Sequence, residues 1–125
     1  MLNGVEITMA SASIAVISLR GEHDLAGYGP LRTGFARAAI HGANVIVDLS
    51  DCEFIDSTVI SMLLRTETIV ARDGGRLVVA LPAEQNAVTR AAALINLAEL
   101  LPTYASFDAA FASFQTADSI DAQPV

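Results

Sequence analysis

Residues 45–65 have the sequence VIVDLSDCEFIDSTVISMLLR, and this stretch decides the fold. Its first five residues are mostly apolar and include three β-branched side chains, which predicts a buried central strand. A short acidic loop follows, and Asp56-Ser57 then precedes apolar residues at helical spacing, which predict a helix over residues 57–72. The stretch therefore predicts a strand, a loop and a helix that begins with a hydroxyl group.

Strands and helices alternate on either side of this stretch, which indicates an α/β layer fold. The predicted strands cover residues 4–9, 14–19, 45–49, 77–81 and 100–104, and the predicted helices cover residues 30–41, 57–72, 84–96 and 107–114. Gly42 and Gly74-Gly75 follow two of these helices, in the position where glycine commonly ends a helix. We expect a single domain over residues 1–115, followed by a flexible polar tail over residues 116–125.

The composition indicates an acidic globular protein. A chain of 125 residues, 53% hydrophobic and 17% charged, is long enough to bury a core without a metal or a disulfide. Its formal net charge of −7 argues against nucleic acid and anionic membranes as partners, because both would repel an acidic surface. The sequence contains no lysine, which excludes Schiff-base chemistry and the phosphate-binding lysine of nucleotide-binding loops.

Cysteine usage and hydropathy predict a soluble, cytoplasmic protein. Cys52 is the only cysteine, so no internal disulfide is possible, which suits a reducing compartment. No basic segment precedes an apolar run near the N-terminus, and no apolar run approaches the roughly 20 residues of a membrane span. His23 and His41 stand apart in the sequence and are interpreted as surface or loop residues, so we expect neither a metal nor a cofactor.

Asp56 and Ser57 lie where the helix over residues 57–72 is predicted to begin. The first N–H groups of a helix lack partners, and this end carries a partial positive charge. One interpretation is an ordinary helix cap, because both residue types accept hydrogen bonds from such groups. The other is a phosphorylation site, because a phosphate on Ser57 would bring three acceptor oxygens to this positive end. The residues alone leave both interpretations open.

Several motifs together resemble the STAS domain family, and specifically the anti-sigma factor antagonists. Asp56-Ser57-Thr58 is similar to the segment in which that family carries its phosphorylated serine. Other similar segments are Gly21-Glu22-His23-Asp24, Gly74-Gly75-Arg76-Leu77, Val88-Thr89-Arg90 and the turn Ile95-Asn96-Leu97, with spacing that fits across residues 4–114. One departure is Thr58-Val59-Ile60-Ser61, where the family usually has Ser/Thr-Gly-Leu-Gly.

The resemblance implies a fold and a function. The implied fold is α/β, a single STAS-like domain with a mixed central sheet of about four to five strands and about four packed helices. The implied function is that of an anti-sigma factor antagonist in bacterial stress signalling. The unphosphorylated protein binds a serine-kinase anti-sigma factor, a histidine-kinase-like ATPase, and so releases a sigma factor for transcription. Phosphorylation of Ser57, or less favourably of Thr58, ends the binding until a serine phosphatase acts, so the chain is a substrate and not an enzyme.

The expected partner-binding surface combines the loop after the second strand, the acidic loop and the start of the helix. Its residues are Glu22, Asp24, Asp56, Ser57, Thr58, Val59 and Met62. The helix carries more apolar residues than one core face requires, with Val59, Met62 and Ile69 on a second flank. Either the helix packs between layers, or this flank binds the partner, in which case Met62→Asp would weaken binding at little cost in stability.

Other functional classes fit the sequence less well, and two alternatives remain open. Asp48 follows an apolar strand, but the acidic pair and the lysine of phospho-accepting receiver domains are missing, as is a Gly-x-Ser-x-Gly elbow around Ser57. The first alternative is a STAS module that is never phosphorylated, an adaptor in a signalling scaffold or a transporter complex, which the missing glycines favour. The second is a small ligand, such as a nucleotide, bound at the helix N-terminus. A neighbouring gene for a histidine-kinase-like ATPase would favour the switch, and one for a permease the adaptor.

Overall fold

Strands and helices alternate along the residues that the structure describes. The computed structural model describes the backbone of residues 4–122 and the side chains of residues 4–115. The strands are β1 (Gly4–Met9), β2 (Ile14–His23), β3 (Asn44–Asp48), β4 (Cys52–Ile55), β5 (Leu77–Ala80) and β6 (Thr103–Tyr104). The helices are α1 (Tyr28–His41), α2 (Ser57–Arg72), α3 (Ala87–Leu94), α4 (Leu97–Leu100) and α5 (Phe107–Ala122), with a 3-10 turn over Leu25–Gly27 before α1.

The strands form a mixed sheet with the order β1-β2-β3-β5-β6. β1 and β2 are an antiparallel hairpin, and β3, β5 and β6 continue the sheet in parallel with β2. β2 pairs twice, because its first half lies beside β3 and its last three residues lie beside β4. Gly21 makes this change of partner possible, since the register shifts there and its φ of 78° is a conformation that favours glycine.

Helices cover both faces of the sheet. Alternate side chains of β2, β3 and β5 fill a core together with α1, α2, α3 and α4, where Ile17, Val47 and Leu63 are fully buried. The opposite face packs on α5 through a smaller cluster that includes Ile46 and Phe114. Burying a side chain of this kind contributes about 1.5–3 kcal/mol, so the two clusters hold the layers together. The predicted α/β fold with a mixed sheet is confirmed.

The strand prediction is correct for β1, β3 and β5 but misses β4. Residues Cys52–Ile55 lie in the segment that was expected to be an acidic loop. The two end residues of β4 are buried and its two middle residues are exposed, so the alternation by which strands are recognised is absent. β2 also extends to His23, past its predicted end at residue 19, and only two residues of the strand predicted over residues 100–104 form β6.

The helix prediction is correct for α2, which spans Ser57–Arg72. α1 begins two residues before Pro30 and ends where Gly42 was expected to stop it. The helix predicted over residues 84–96 is shorter in the structure, where α3 spans Ala87–Leu94. Asn96 then adopts a left-handed conformation with a φ of 53°, and the short helix α4 follows beyond the predicted end. Asparagine adopts the left-handed conformation more readily than most residues, so Asn96 can occupy a position that would otherwise favour glycine.

α5 continues to Ala122, beyond the predicted domain boundary at residue 115. The segment predicted as a tail therefore includes helical backbone, while residues 1–3 and 123–125 lie outside the described residues. The division of the chain into a domain and a flexible tail stays a prediction.

Candidate functional site

The candidate site lies where two parallel strands end and a helix begins. β2 and β4 run parallel, so their last residues, His23 and Ile55, are paired at the same edge of the sheet. The 3-10 turn follows β2 there, and α2 begins two residues after β4 ends. A hydrogen bond between Leu25 and Asp56 joins these two segments across 31 positions of the sequence.

Asp56 fixes the start of α2 and also holds the neighbouring turn. Its carboxylate Oδ1 accepts hydrogen bonds from the N–H groups of Thr58 at 2.9 Å and Val59 at 3.3 Å. Its Oδ2 accepts a hydrogen bond from the N–H group of Leu25 at 3.0 Å. Of the two residues considered as the helix cap, the structure therefore assigns this role to Asp56 and not to Ser57.

Ser57 is the first residue of α2, and its side chain is exposed. Among the residues that the structure describes, none forms a hydrogen bond with the Ser57 hydroxyl. The first turn of α2 contains no acidic residue, and the Asp56 carboxylate caps the positive end of the helix dipole. A phosphate on this hydroxyl would face solvent at the end of the helix that favours anions.

The other polar residues predicted to bind a partner lie at the same edge. Asp24 is exposed, and its Oδ1 accepts a hydrogen bond from the N–H group of Ala26 at 3.0 Å, which fixes the 3-10 turn. Glu22 is exposed near the end of β2. Thr58 is half-buried, whereas Ser57 beside it is exposed. The fold therefore brings together the polar site residues that the sequence predicts.

Val59 and Met62 are core residues, and their assignment to the partner-binding surface is wrong. Val59 is fully buried and Met62 is only 7% exposed. The physical reason is that α2 packs against α1 as well as against the sheet, so that a helix with a wide apolar surface is covered on two sides. Ile69, the third residue of the second apolar flank of α2, is 43% exposed. Of the two interpretations of this helix, packing between layers is the one that its burial supports.

Two exposed apolar side chains at this edge do not stand out in the sequence. Leu25, in the 3-10 turn, is 67% exposed, and Phe54, in β4, is 38% exposed. Their exposure depends on the turn and on β4, and neither element is predicted from the sequence. The signal that could have found them is position, because each lies within three residues of a predicted site residue, Asp24 or Ser57.

His23 is buried, and its interpretation as a surface or loop residue is wrong. Its side chain is 5% exposed, and its Nε2 atom lies 2.8 Å from the carbonyl oxygen of Arg20. The extension of β2 to residue 23 carries this side chain under the edge of the sheet. His41 is exposed at the end of α1, as expected.

Cys52, the first residue of β4, is buried, and this burial disfavours the charged form of its thiol. The residue is 1% exposed, and burial raises the pKa of its thiol from 9.0 to about 11. The thiolate, which is the nucleophilic and metal-binding form, is therefore scarce at pH 7.

Within residues 4–115, no three His, Cys, Asp or Glu side chains come close enough together to hold a metal ion. Across the same described part of the chain, no helix combines the length and apolar character needed to cross a bilayer.

Solved structures share this fold. An anti-sigma factor antagonist from Mycobacterium paratuberculosis matches with a TM-score of 0.78 at 23% identity, covering 90% of this chain and 93% of that chain. The anti-sigma factor antagonist SpoIIAA in its unphosphorylated form matches with a TM-score of 0.74 at 18% identity, covering 90% of this chain and 97% of that chain. SpoIIAA of Bacillus in its phosphorylated form matches with a TM-score of 0.66 at 17% identity, covering 88% of this chain and 99% of that chain. At these identities the likeness establishes the fold.

Sequence comparison establishes the family. A search among curated proteins finds no significant match. The model of the family described as "Mlab, STAS domain" matches residues 7–102, which is well over half of the chain. The match includes both halves of the candidate site, the end of β2 and the start of α2. This chain therefore belongs to the STAS domain family.

Proposed function

We propose that this STAS domain protein is an anti-sigma factor antagonist that is regulated by phosphorylation of Ser57. In its unphosphorylated form it binds an anti-sigma factor that is also a serine kinase, and this binding releases a sigma factor for transcription. Phosphorylation by that kinase ends the binding, and a serine phosphatase restores it. The protein acts in the cytoplasm as a substrate and a binding partner of these enzymes.

The exposed hydroxyl of Ser57 at the first position of α2 is the observation that carries this proposal. Asp56 caps the helix, so modification of Ser57 removes no hydrogen bond on which α2 depends. Two of the matched structures support the proposal, because SpoIIAA has the same fold in an unphosphorylated and in a phosphorylated form. A STAS domain of this architecture can therefore carry a phosphate without losing its fold.

Phosphorylation of Ser57 would change the binding surface far more than the folding of the domain. The helix N-terminus stabilises an added anion, which offsets part of its repulsion from the Asp56 carboxylate. Asp24, Asp51 and Glu53 are exposed in the neighbouring segments, so the phosphate adds a charge of about −1.5 to −2 to a surface that is already acidic. A partner that packs against the neutral hydroxyl would have to bury this charge. The switch therefore acts on binding.

The proposal is tested by incubating the purified protein with the candidate kinase and ATP, followed by mass spectrometry and a binding assay. One phosphate is expected on Ser57, none on Ser57→Ala, and one on the matched control Thr58→Ala. The kinase should bind the unphosphorylated protein and release the phosphorylated one. Phosphate on Thr58 alone, or equal binding of both forms, would contradict the proposal.

A second candidate function is an adaptor that is never phosphorylated, in a signalling scaffold or a transporter complex. Val59 and Ser61 favour it, because they stand where the family usually has glycines, which would let a kinase approach the helix closely. The matching family model, described as "Mlab, STAS domain", is consistent with either function. Replacement of Ser57 by Asp separates the two functions, since it should weaken partner binding for the switch and leave it unchanged for the adaptor.

A further inference from the structure

Leu25 and Phe54, here called the apolar pair, are exposed at the edge that carries Ser57. They are 67% and 38% exposed, respectively. The N–H group of Leu25 donates to the Oδ2 atom of Asp56, the residue before Ser57, at 3.0 Å. Phe54 precedes Ser57 by three residues, so their Cα atoms are at most about 11 Å apart. Both apolar residues therefore lie in segments next to the hydroxyl that the proposed function uses.

The fold does not require the apolar pair for its core. The buried positions of β4 are Cys52 and Ile55, and the 3-10 turn that contains Leu25 has no buried residue. Single exposed apolar side chains are common on protein surfaces, but apolar side chains grouped beside a functional residue indicate a contact surface. The apolar pair is therefore better explained by binding than by folding.

Four exposed acidic residues are here called the acidic rim: Asp24, Asp51, Glu53 and Glu84. Asp24 and Glu53 are the chain neighbours of Leu25 and Phe54, and Asp51 and Glu84 share a cleft with Glu53. Three of them line an open cleft of about 690 Å³ between β4 and the segment before α3. Arg20 lines the same cleft, but its Nη2 atom is paired with the carboxylate of Glu6 at 3.3 Å. The rim is therefore negative overall and complements a basic surface.

We propose that the protein partner binds this edge with an apolar recess over the apolar pair and with basic side chains against the acidic rim. This proposal rests on the proposed function, because it identifies the surface by which the anti-sigma factor kinase recognises the unphosphorylated protein. The apolar contact excludes water from the Ser57 hydroxyl. The acidic rim increases the rate of association with the basic partner and fixes the orientation in which the partner binds. A second copy of this chain is a poorer occupant, because two acidic rims would repel each other.

The apolar pair also explains how one phosphate could end binding to a basic partner. Basic side chains alone would attract the phosphate and tighten the complex. Between apolar surfaces, however, the phosphate loses its water, and burial of an unpaired charge is strongly unfavourable. Desolvation then separates the complex, so the phosphorylated protein should remain unbound even at low salt, where attraction between the phosphate and a basic partner is least screened.

Calorimetric titration with the serine kinase that phosphorylates Ser57 tests this proposal. Leu25→Ser and Phe54→Ser, both unphosphorylated, should each bind at least about tenfold more weakly than the wild type, as expected for anchors near the centre of an interface. Ile40→Ser is the matched control, because Ile40 is 77% exposed near the opposite end of α1. Its affinity should stay within about twofold of the wild type. Unchanged melting temperatures in all three variants verify that the losses arise at the surface.

Three results would overturn the proposal. Equal affinity of all variants for a kinase that does phosphorylate Ser57 would remove the apolar pair from the interface and leave the proposed function intact. A wild-type protein that the kinase neither binds nor phosphorylates would end both proposals together. A dimer of the protein alone, dissociated by Phe54→Ser in sedimentation experiments, would assign this edge to a second copy of the chain.

Discussion

Asp56 and Ser57 are neighbours in the sequence with separate tasks. The two carboxylate oxygens of Asp56 accept hydrogen bonds from three N–H groups, those of Thr58, Val59 and Leu25. Ser57 contributes an exposed hydroxyl at the next position. This division would allow the proposed phosphate on Ser57 while Asp56 still caps the helix and still binds the 3-10 turn.

Replacement of Asp56 by Ala should destabilise the protein by about 1 to 2 kcal/mol, because the N–H groups at the start of α2 lose their acceptor. Ser57→Ala, the control at the adjacent position, should change the free energy of unfolding by less than about 0.5 kcal/mol. Urea denaturation monitored by circular dichroism measures both. Equal destabilisation by the two variants would show that the Ser57 hydroxyl also supports the helix.

Burial of Cys52 should make the stability of the protein fall as the pH rises above about 9. In the unfolded chain the thiol ionises near its ordinary pKa of 9.0, whereas in the folded protein its pKa is raised to about 11. Between these values the unfolded state binds fewer protons than the folded state, so increasing pH favours unfolding. Urea denaturation from pH 8 to 11 measures this, and Cys52→Ala should show a shallower slope. Identical slopes would contradict the raised pKa.

At the scale of single elements, α2 shows how packing changes the meaning of an apolar pattern. Its wide apolar surface fits either an exposed binding flank or a helix covered on two sides. Contact with both α1 and the sheet selects the second possibility, which buries Val59 and Met62 and leaves Ile69 partly exposed. The surface available to a partner is therefore the start of α2 and the turn beside it.

Because Met62 is buried, Met62→Asp should unfold the domain instead of selectively weakening partner binding. The substitution places a charge at a position that is 7% exposed, and loss of apolar contacts and burial of an unpaired carboxylate should cost on the order of 3 to 5 kcal/mol. Ile69→Asp is the control on the same helix, because Ile69 is 43% exposed, and its cost should stay below about 1 kcal/mol. Thermal denaturation compares the two. A Met62→Asp protein as stable as Ile69→Asp would refute the burial.

Elements that depend on local sequence alone could be predicted, and those that depend on distant pairing could not. The helix over residues 57–72 and the strand before it follow from short-range periodicity. β4 lacks alternation and exists because the end of β2 pairs with it after the register shift at Gly21. The turn at Ile95-Asn96-Leu97 follows from the family resemblance, whereas the short helix α4 after it lies where the sequence predicts no helix.

The candidate site likewise contains residues that could be predicted from the sequence and residues that could not. The polar residues were predictable, because a resemblance to a known family marks Glu22, Asp24 and Asp56-Ser57 by their spacing. The exposure of Leu25 and Phe54 was not predictable, since it follows from a turn and a strand that only the tertiary structure forms. Docking residues at this edge therefore have to be identified from the three-dimensional arrangement.

At the scale of the whole molecule, the residues that stabilise the fold lie apart from the candidate site. Two apolar clusters, one on each face of the sheet, hold the layers together. The candidate site lies at one edge, where α2 and the 3-10 turn meet the ends of β2 and β4. Under the proposed function, a phosphate at that edge would add charge to the surface and leave both clusters unchanged, so that binding would change while the fold remained the same.

The intact mass of the protein purified from its native cells shows whether cells phosphorylate Ser57 reversibly. We expect a mixture of unmodified protein and protein with one phosphate, and fragmentation of the segment over residues 45–65 should place that phosphate on Ser57. The phosphorylated form should disappear in a strain that lacks the kinase. A protein that carries no phosphate under any growth or stress condition would contradict the account and favour the adaptor.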